Sequence, residues 1–185
     1  MWNEEIREKL RNKILPELEK EVWGLNDDMA AHPELGSHEF ESSRKIVELL
    51  RAHGIEVEYP FCGLETAFRA VINPGGKKKA AFLAEYDALP EIGHGCGHCA
   101  SGMASVMAAL AVQQVRDSLG DVEIDVIGTR YGITKFHITH GYEGNGHLWR
   151  CAGDRHFVFH CEEQVGGNLD WSGGRGFVWH FQPSP

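Results

Sequence analysis

Ala80-Ala-Phe-Leu-Ala84 is an apolar run, followed by Glu85-Tyr-Asp-Ala-Leu-Pro90 and then by the dense cluster His94-Gly-Cys-Gly-His-Cys99. The apolar run predicts a buried strand. The segment from Ala100 to Leu119, rich in Ala, Met and Val, predicts a helix packed against a sheet. Carboxylates, thiols and imidazoles therefore lie between a strand and a helix, where α/β proteins hold their ligands. This order of residues predicts a functional site at the end of the strand.

The cluster combines glycines with two metal-binding residue types, thiol and imidazole. Glycine has no Cβ and tolerates positive φ, so the backbone can fold closely around a small ion. Cys96 and His98 are the nearest pair of such ligands, and Zn²⁺ favours both. Mn²⁺, Co²⁺ and Ni²⁺ remain open as alternatives. The structural alternative is a buried cysteine beside a hydrogen-bonded histidine, but the density of thiol and imidazole side chains within six positions after a strand favours a site.

The segment Cys96-Gly-His-Cys99 also matches the dithiol motif of protein disulfide isomerases. It therefore defines a second hypothesis, a dithiol-disulfide oxidoreductase. Thioredoxin-like proteins carry Trp before the first cysteine, whereas this chain has Gly95. The segment from Glu85 to Pro90 has no role in that fold either, so the metal interpretation is favoured.

Three motifs in one order resemble a known family: Ala31-His-Pro-Glu-Leu-Gly36, Ala84-Glu-Tyr-Asp-Ala-Leu-Pro90 and Gly93-His-Gly-Cys-Gly-His98. They resemble the amidohydrolase branch of the aminoacylase-like metallopeptidases, which includes hippurate hydrolase, indoleacetyl-amino-acid hydrolases and aminobenzoyl-glutamate hydrolase. The resemblance covers about Leu25 to Thr129.

The resemblance implies a two-metal site in which Cys96 and His98 are ligands and Asp87 orients a ligand. It implies hydrolysis of an amide bond in an acyl-amino acid or dipeptide, with a small-molecule or peptide substrate. Cys99 stands where relatives usually carry Asp or Asn, a position that is not itself a ligand. A non-catalytic metal-binding fragment is the remaining alternative.

The tail from Arg130 departs from the family. The strand ending at Thr129 should lead into Pro-Ala-Glu-Glu, whose first Glu is the general base and second a ligand, but the chain reads Arg130-Tyr-Gly-Ile133. Within this tail, adjacent acids occur only at Glu162 and Glu163, at the wrong distance for that role. We therefore expect residues 1–129 to form a partial catalytic domain with low or no activity. We interpret 130–185 as an atypical tail, either disordered or translated out of frame.

Two helices are predicted before the first strand. The first is amphipathic, kinked or divided near Pro16 and ended by His32-Pro33, because proline lacks an N–H and restricts the residue before it. The second is predicted to have Ser37 as N-cap and Gly54 as its stop. Its predicted inner stripe is Phe40, Ile46, Val47 and Leu50.

Strands are predicted at 55–59, 66–72, 79–84 and 122–127, with the second and third joined as a hairpin through Asn73-Pro-Gly-Gly76. The resulting class is α/β, a mixed sheet with helices on both faces. By resemblance, it is the N-terminal part of a zinc-peptidase-like catalytic domain without the lid and dimerisation domain.

Composition excludes two classes of partner. A net charge of −9 with a pI of about 5.6 disfavours nucleic acid, which requires clustered Lys and Arg. The charged N-terminus resembles no signal peptide, and no apolar run is long enough to span a bilayer. We therefore expect a cytoplasmic protein with free thiols, since its five cysteines are irregularly spaced. The sequence does not define the oligomeric state.

Overall fold

The structure, a computed structural model, describes residues 4–129, 147–150, 156–161 and 179–183. Its α-helices are α1 (Glu4–Lys9), α2 (Leu15–Ala31), α3 (Phe40–Ala52) and α4 (His98–Gln113). A π-helical turn spans Leu10–Ile14, and 3-10 turns span His94–Cys96 and Arg116–Ser118. Its strands are β1 (Glu56–Glu58), β2 (Phe68–Ile72), β3 (Lys78–Glu85), β4 (Val122–Thr129), β5 (His147–Arg150), β6 (His156–Cys161) and β7 (Trp179–Pro183).

The first helical segment is divided just before Pro16, as predicted. The π-helical turn joins α1 to α2, and Pro16 lies in the first turn of α2. A proline costs little at this position, because an N–H in the first turn has no intrahelical acceptor. The segment ends at Ala31, so the predicted break at His32-Pro33 is also confirmed.

The predicted N-cap of the second helix is wrong. Helix α3 begins at Phe40, and Ser37 lies outside it with φ of 76°. The carboxylate of Glu34 accepts hydrogen bonds from the backbone N–H groups of Glu41 and Ser42, at 3.1 and 2.7 Å. A side chain from the preceding loop therefore satisfies the free donors of the first turn.

The inner stripe of α3 is mostly as predicted. Ile46, Val47 and Leu50 are buried, and the helix stops before Gly54, which has φ of 74°. Phe40, however, is 44% exposed, so its predicted place in the stripe is wrong. It lies in the first turn, where its ring meets His38 edge-on with ring centroids 6.5 Å apart.

The main sheet has the strand order β1-β2-β4-β3. Strand β2 is antiparallel to β1 and β4, whereas β3 is parallel to β4. The predicted hairpin between β2 and β3 is therefore wrong, because β4 lies between them. The side-chain amide of Asn73 donates to the carbonyl groups of Gly120 and Val122, at 3.1 and 2.8 Å, so the turn after β2 is bonded to the start of β4.

One face of this sheet forms the core. Phe68, Ala70 and Ile72 of β2 and Ile124 and Val126 of β4 belong to one buried cluster with residues of α2, α3 and α4. A mixed sheet with helices confirms the predicted α/β class. The second helical layer, expected on the other face, is not found among the described residues.

The opposite face carries charges. Arg69 pairs with Asp125 at 2.7 Å, and Lys79 pairs with Glu123 at 2.6 Å. Burial raises the pKa of Asp125, against the opposing charge of Arg69. Successive residues of β4 point to opposite faces of the sheet, so Glu123 and Asp125 lie on the face opposite the core.

The tail is described only in part. Strands β5, β6 and β7 form a separate antiparallel sheet. Residues 130–146, 151–155, 162–178 and 184–185 lie outside the described residues, so the predicted boundary after Thr129 stays a prediction. Within the described ranges, no helix has the length and apolarity that crossing a membrane requires.

Candidate metal site

The site lies where β3 ends and α4 begins. Strand β3 ends at Glu85, and the 3-10 turn His94–Cys96 leads through Gly97 into α4. Gly97 has φ of 83°, a left-handed conformation that glycine adopts without strain. This reversal places Cys96 in the short turn and His98 at the first position of α4.

Asp87 and His98 form a close pair. Nδ1 of His98 lies 2.8 Å from Oδ1 of Asp87, whose residue is 4% exposed. An ionised carboxylate can only accept, so Nδ1 donates to it, and in the neutral imidazole the lone pair is then on Nε2. A histidine held in this way by a carboxylate presents Nε2 to a metal. Nε2 faces Oε2 of Glu85 at 3.5 Å.

The two cysteines of the cluster occupy different environments. Cys96 is exposed, and its Sγ lies 3.9 Å from the backbone carbonyl of Asp87. Cys99 is only 5% exposed and belongs to the core cluster. Burial raises the pKa of the Cys99 thiol. Cys96 is therefore available to a ligand, whereas Cys99 packs against the core.

His94 is a residue that the sequence did not single out as a ligand. Both of its ring nitrogens are buried, and apart from a contact with the backbone of Met29 that falls outside hydrogen-bond geometry, neither has a polar partner among the described residues. Burial lowers the pKa of its imidazole, against the opposing charge of Asp87. Such nitrogens are usually paired in folded proteins. The only signal in the sequence was its position within the cluster.

The donor set fits part of a metal site. Thiol, imidazole and carboxylate are ligands that Zn²⁺ accepts. However, within the part of the chain that the structure describes, no three His, Cys, Asp or Glu side chains converge to hold an ion. The described residues thus provide an oriented histidine and an exposed thiol, not a complete two-metal centre. Arg130–Ile133, Glu162 and Glu163 lie outside the described residues.

Three known proteins are similar to this chain over part of its length. It is 29% identical over 137 residues to a Mus musculus protein named Xaa-Arg dipeptidase, a match covering 68% of this chain and 32% of the relative. A Bacillus subtilis structure, described as a dinuclear metal-binding peptidase of the M20 family, is 25% identical with a TM-score of 0.54, over 60% of this chain and 35% of that one. An aminobenzoyl-glutamate utilization protein from Klebsiella pneumoniae has a TM-score of 0.55 at 19% identity, over 66% and 39% of the two chains, and so supports the fold alone. No family model matches the sequence.

Fold and site together define an α/β protein in which Asp87, Cys96 and His98 follow the end of β3. Its homologues and structural neighbours are members of the M20 peptidase and amidohydrolase family, and they match about two-thirds of the chain. The resemblance predicted from the three motifs is therefore confirmed. The chain spans about a third of the length of the curated relatives it matches.

Proposed function

We propose that this chain binds a divalent transition metal through Cys96 and His98, with Asp87 orienting His98, in a site of the amidohydrolase and peptidase type. The observation that carries the proposal is the 2.8 Å contact between Asp87 and Nδ1 of His98. This contact leaves Nε2 of His98 to ligate the metal, two residues after the exposed thiol of Cys96. Zn²⁺ suits this pair best, with Mn²⁺, Co²⁺ and Ni²⁺ as alternatives.

The proposed substrate class is an acyl-amino acid or a dipeptide. One relative is named a dipeptidase, and a structural neighbour is described as a dinuclear metal-binding peptidase. These names support cleavage of an amide bond in a small molecule or peptide. We propose no nucleic-acid or membrane partner and a cytoplasmic location; the net charge of −9 supports the first of these.

The described residues provide the proposed metal ligands, but none of them is assigned to the proton transfer that hydrolysis requires. A bound divalent metal would polarise the amide carbonyl. Asp87 holds the proton on Nδ1 of His98, and Cys96 offers a sulfur ligand. Hydrolysis also needs a group that takes a proton from water and delivers it to the leaving amine. Because Arg130-Tyr-Gly-Ile133 replaces the double Glu, we propose that hydrolytic activity is low or absent.

Metal titration tests the ligand pair. We expect Cys96→Ser to raise the Kd for Zn²⁺ or Co²⁺ at least about tenfold, since even residues behind the ligands alter metal affinity by about 10–100-fold. Cys62→Ser is the matched control, because it removes a thiol distant in sequence from the cluster. Calorimetry of the three proteins provides the measurement. Equal affinity in wild type and Cys96→Ser would remove the basis of the proposal.

A thiol assay separates the metal interpretation from the dithiol alternative. We expect no thiol-dependent reduction of insulin, because Cys99 is buried and burial raises the pKa of its thiol. Iodoacetamide should also label Cys96 faster than Cys99. Insulin turnover that is abolished by Cys99→Ser would favour the oxidoreductase instead.

A further inference from the structure

Glu39 is a fully buried carboxylate behind the site. Its exposure is 0%, although glutamate is almost never fully buried unless it is paired. Oε1 accepts a hydrogen bond from the backbone N–H of Ser37 at 2.7 Å, and Oε2 accepts one from the hydroxyl of Thr66 at 2.9 Å. No basic side chain among the described residues forms an ion pair with it. A buried carboxylate held only by neutral donors is costly, which calls for an explanation beyond packing.

A buried chain of hydrogen bonds connects Glu39 to Tyr86, the residue before Asp87. Thr66, which donates its hydroxyl to Glu39, accepts the hydroxyl of Tyr86 on its backbone carbonyl. Thr66 and Tyr86 are both 0% exposed, so water does not compete for these bonds. The residue after Tyr86 is Asp87, which holds His98. These hydrogen bonds therefore end at Tyr86, which is joined by a peptide bond to the residue that orients the proposed ligand.

The same loop also holds the other side of Asp87. The backbone N–H of Ala88 donates to the carbonyl of Glu34 at 2.7 Å, and Leu35 forms a parallel bridge with Ala88. The residues on both sides of Asp87 are thus bonded, directly or through Thr66, to the loop that carries Glu39. A carboxylate at position 87 can keep its angle to His98 only if its own backbone is held in place.

We propose that Glu39 is a positioning residue: through Thr66 and Tyr86 it holds the backbone at Asp87, and thereby the hydrogen bond that aims Nε2 of His98. The expected effect on metal affinity rests on the proposed function. The effect on the hydrogen bond between Asp87 and His98 can be tested in metal-free protein. A purely structural role for Glu39 would change stability alone. A positioning role changes the ligand geometry as well.

Thr66 offers a matched pair of variants. Thr66→Val keeps the branched shape but removes the hydroxyl, and Thr66→Ser keeps the hydroxyl. Glu39→Gln is an independent variant, because its amide can still satisfy Ser37 while altering the bond to Thr66. Ile72→Val is the stability control, since Ile72 is buried and pairs with Ile124, toward the end of β4 away from Glu85.

Two measurements decide the inference. The first is the Kd for Co²⁺, which we expect to rise about tenfold in Thr66→Val and Glu39→Gln, as for other residues behind metal ligands. Thr66→Ser and Ile72→Val should keep the wild-type Kd. The second is the NMR signal of the Nδ1 proton of His98 in metal-free protein, which should exchange faster or shift in the first two variants only.

The outcomes separate this inference from the proposed function. Wild-type Co²⁺ affinity and an unchanged Nδ1 signal in folded Thr66→Val and Glu39→Gln would overturn the positioning role. If Cys96→Ser binds Co²⁺ as tightly as wild type, the ligand assignment fails, and the Nδ1 signal alone then decides whether Glu39 positions Asp87.

Discussion

Gly102→Ala is expected to lower the free energy of unfolding by at least about 3 kcal/mol, the upper end of overpacking costs. Gly102 lies in α4 against the end of β3. A Cβ built there would lie 2.0 Å from the backbone carbonyl oxygen of Glu85 and 3.0 Å from its carbonyl carbon. Neither atom belongs to a flexible side chain, so helix and strand must separate. The displaced residue is two positions from Asp87, and metal affinity should fall as well.

Gly24→Ala is the matched control for this experiment. Gly24 is also inside a helix, α2, but no heavy atom lies within 4 Å of the position that the alanine methyl group would occupy. There, the gain in helix propensity should stabilise the protein by about 0.5–1 kcal/mol. Urea unfolding of both variants provides the comparison. A Gly102→Ala protein as stable as wild type would show that α4 is further from β3 than the structure places it.

The second large effect concerns catalysis. We expect this chain, saturated with Zn²⁺, Mn²⁺, Co²⁺ or Ni²⁺, to hydrolyse hippurate-like substrates at least about 10²-fold more slowly than a relative with the double Glu. General acid–base catalysis contributes about 10²–10⁴ in rate, and this chain has Arg130-Tyr-Gly-Ile133 where that base is expected. A chelator and the variant Cys96→Ser serve as blanks, since residual metal-dependent turnover should disappear in both.

Robust metal-dependent hydrolysis would contradict this expectation. It would mean that another part of the chain provides the proton carrier. Glu162→Gln and Glu163→Gln are then the first variants to measure, because these are the adjacent acids of the tail. A rate lost in one of them, with Kd for the metal unchanged, would identify the base.

The candidate site could be predicted because its signal is local. Asp87, Cys96 and His98 lie within one loop and the start of one helix, so a short segment of sequence brings them together. The three motifs then pointed to the family that the comparisons confirm. The supporting bond from Thr66 to Glu39 spans 27 positions, and no periodicity in either segment indicates it.

The sheet order could not be predicted in the same way. Asn73-Pro-Gly-Gly76 has the composition of a hairpin turn, and turn chemistry is read from local sequence. In the structure this turn passes close to another strand: a Cβ at Gly76 would lie 2.5 Å from the backbone nitrogen of Glu123. Gly76 is needed for that close approach to β4, not for a hairpin in which β2 and β3 pair. The need for glycine at position 76 therefore follows from β4, which is distant in sequence.

Insertion of β4 between β2 and β3 determines when the site can form during synthesis. The hydroxyl of Thr129 bonds to the carbonyl of Ala84 across 45 positions, and among the described strands of the main sheet β3 pairs only with β4. At about 5–20 residues per second, the ribosome needs roughly 2–9 s to add those positions. During that interval, the ligand loop is attached to a strand without its partner. A chain truncated before Val122 should therefore leave Cys99, which is only 5% exposed in the folded protein, open to modification.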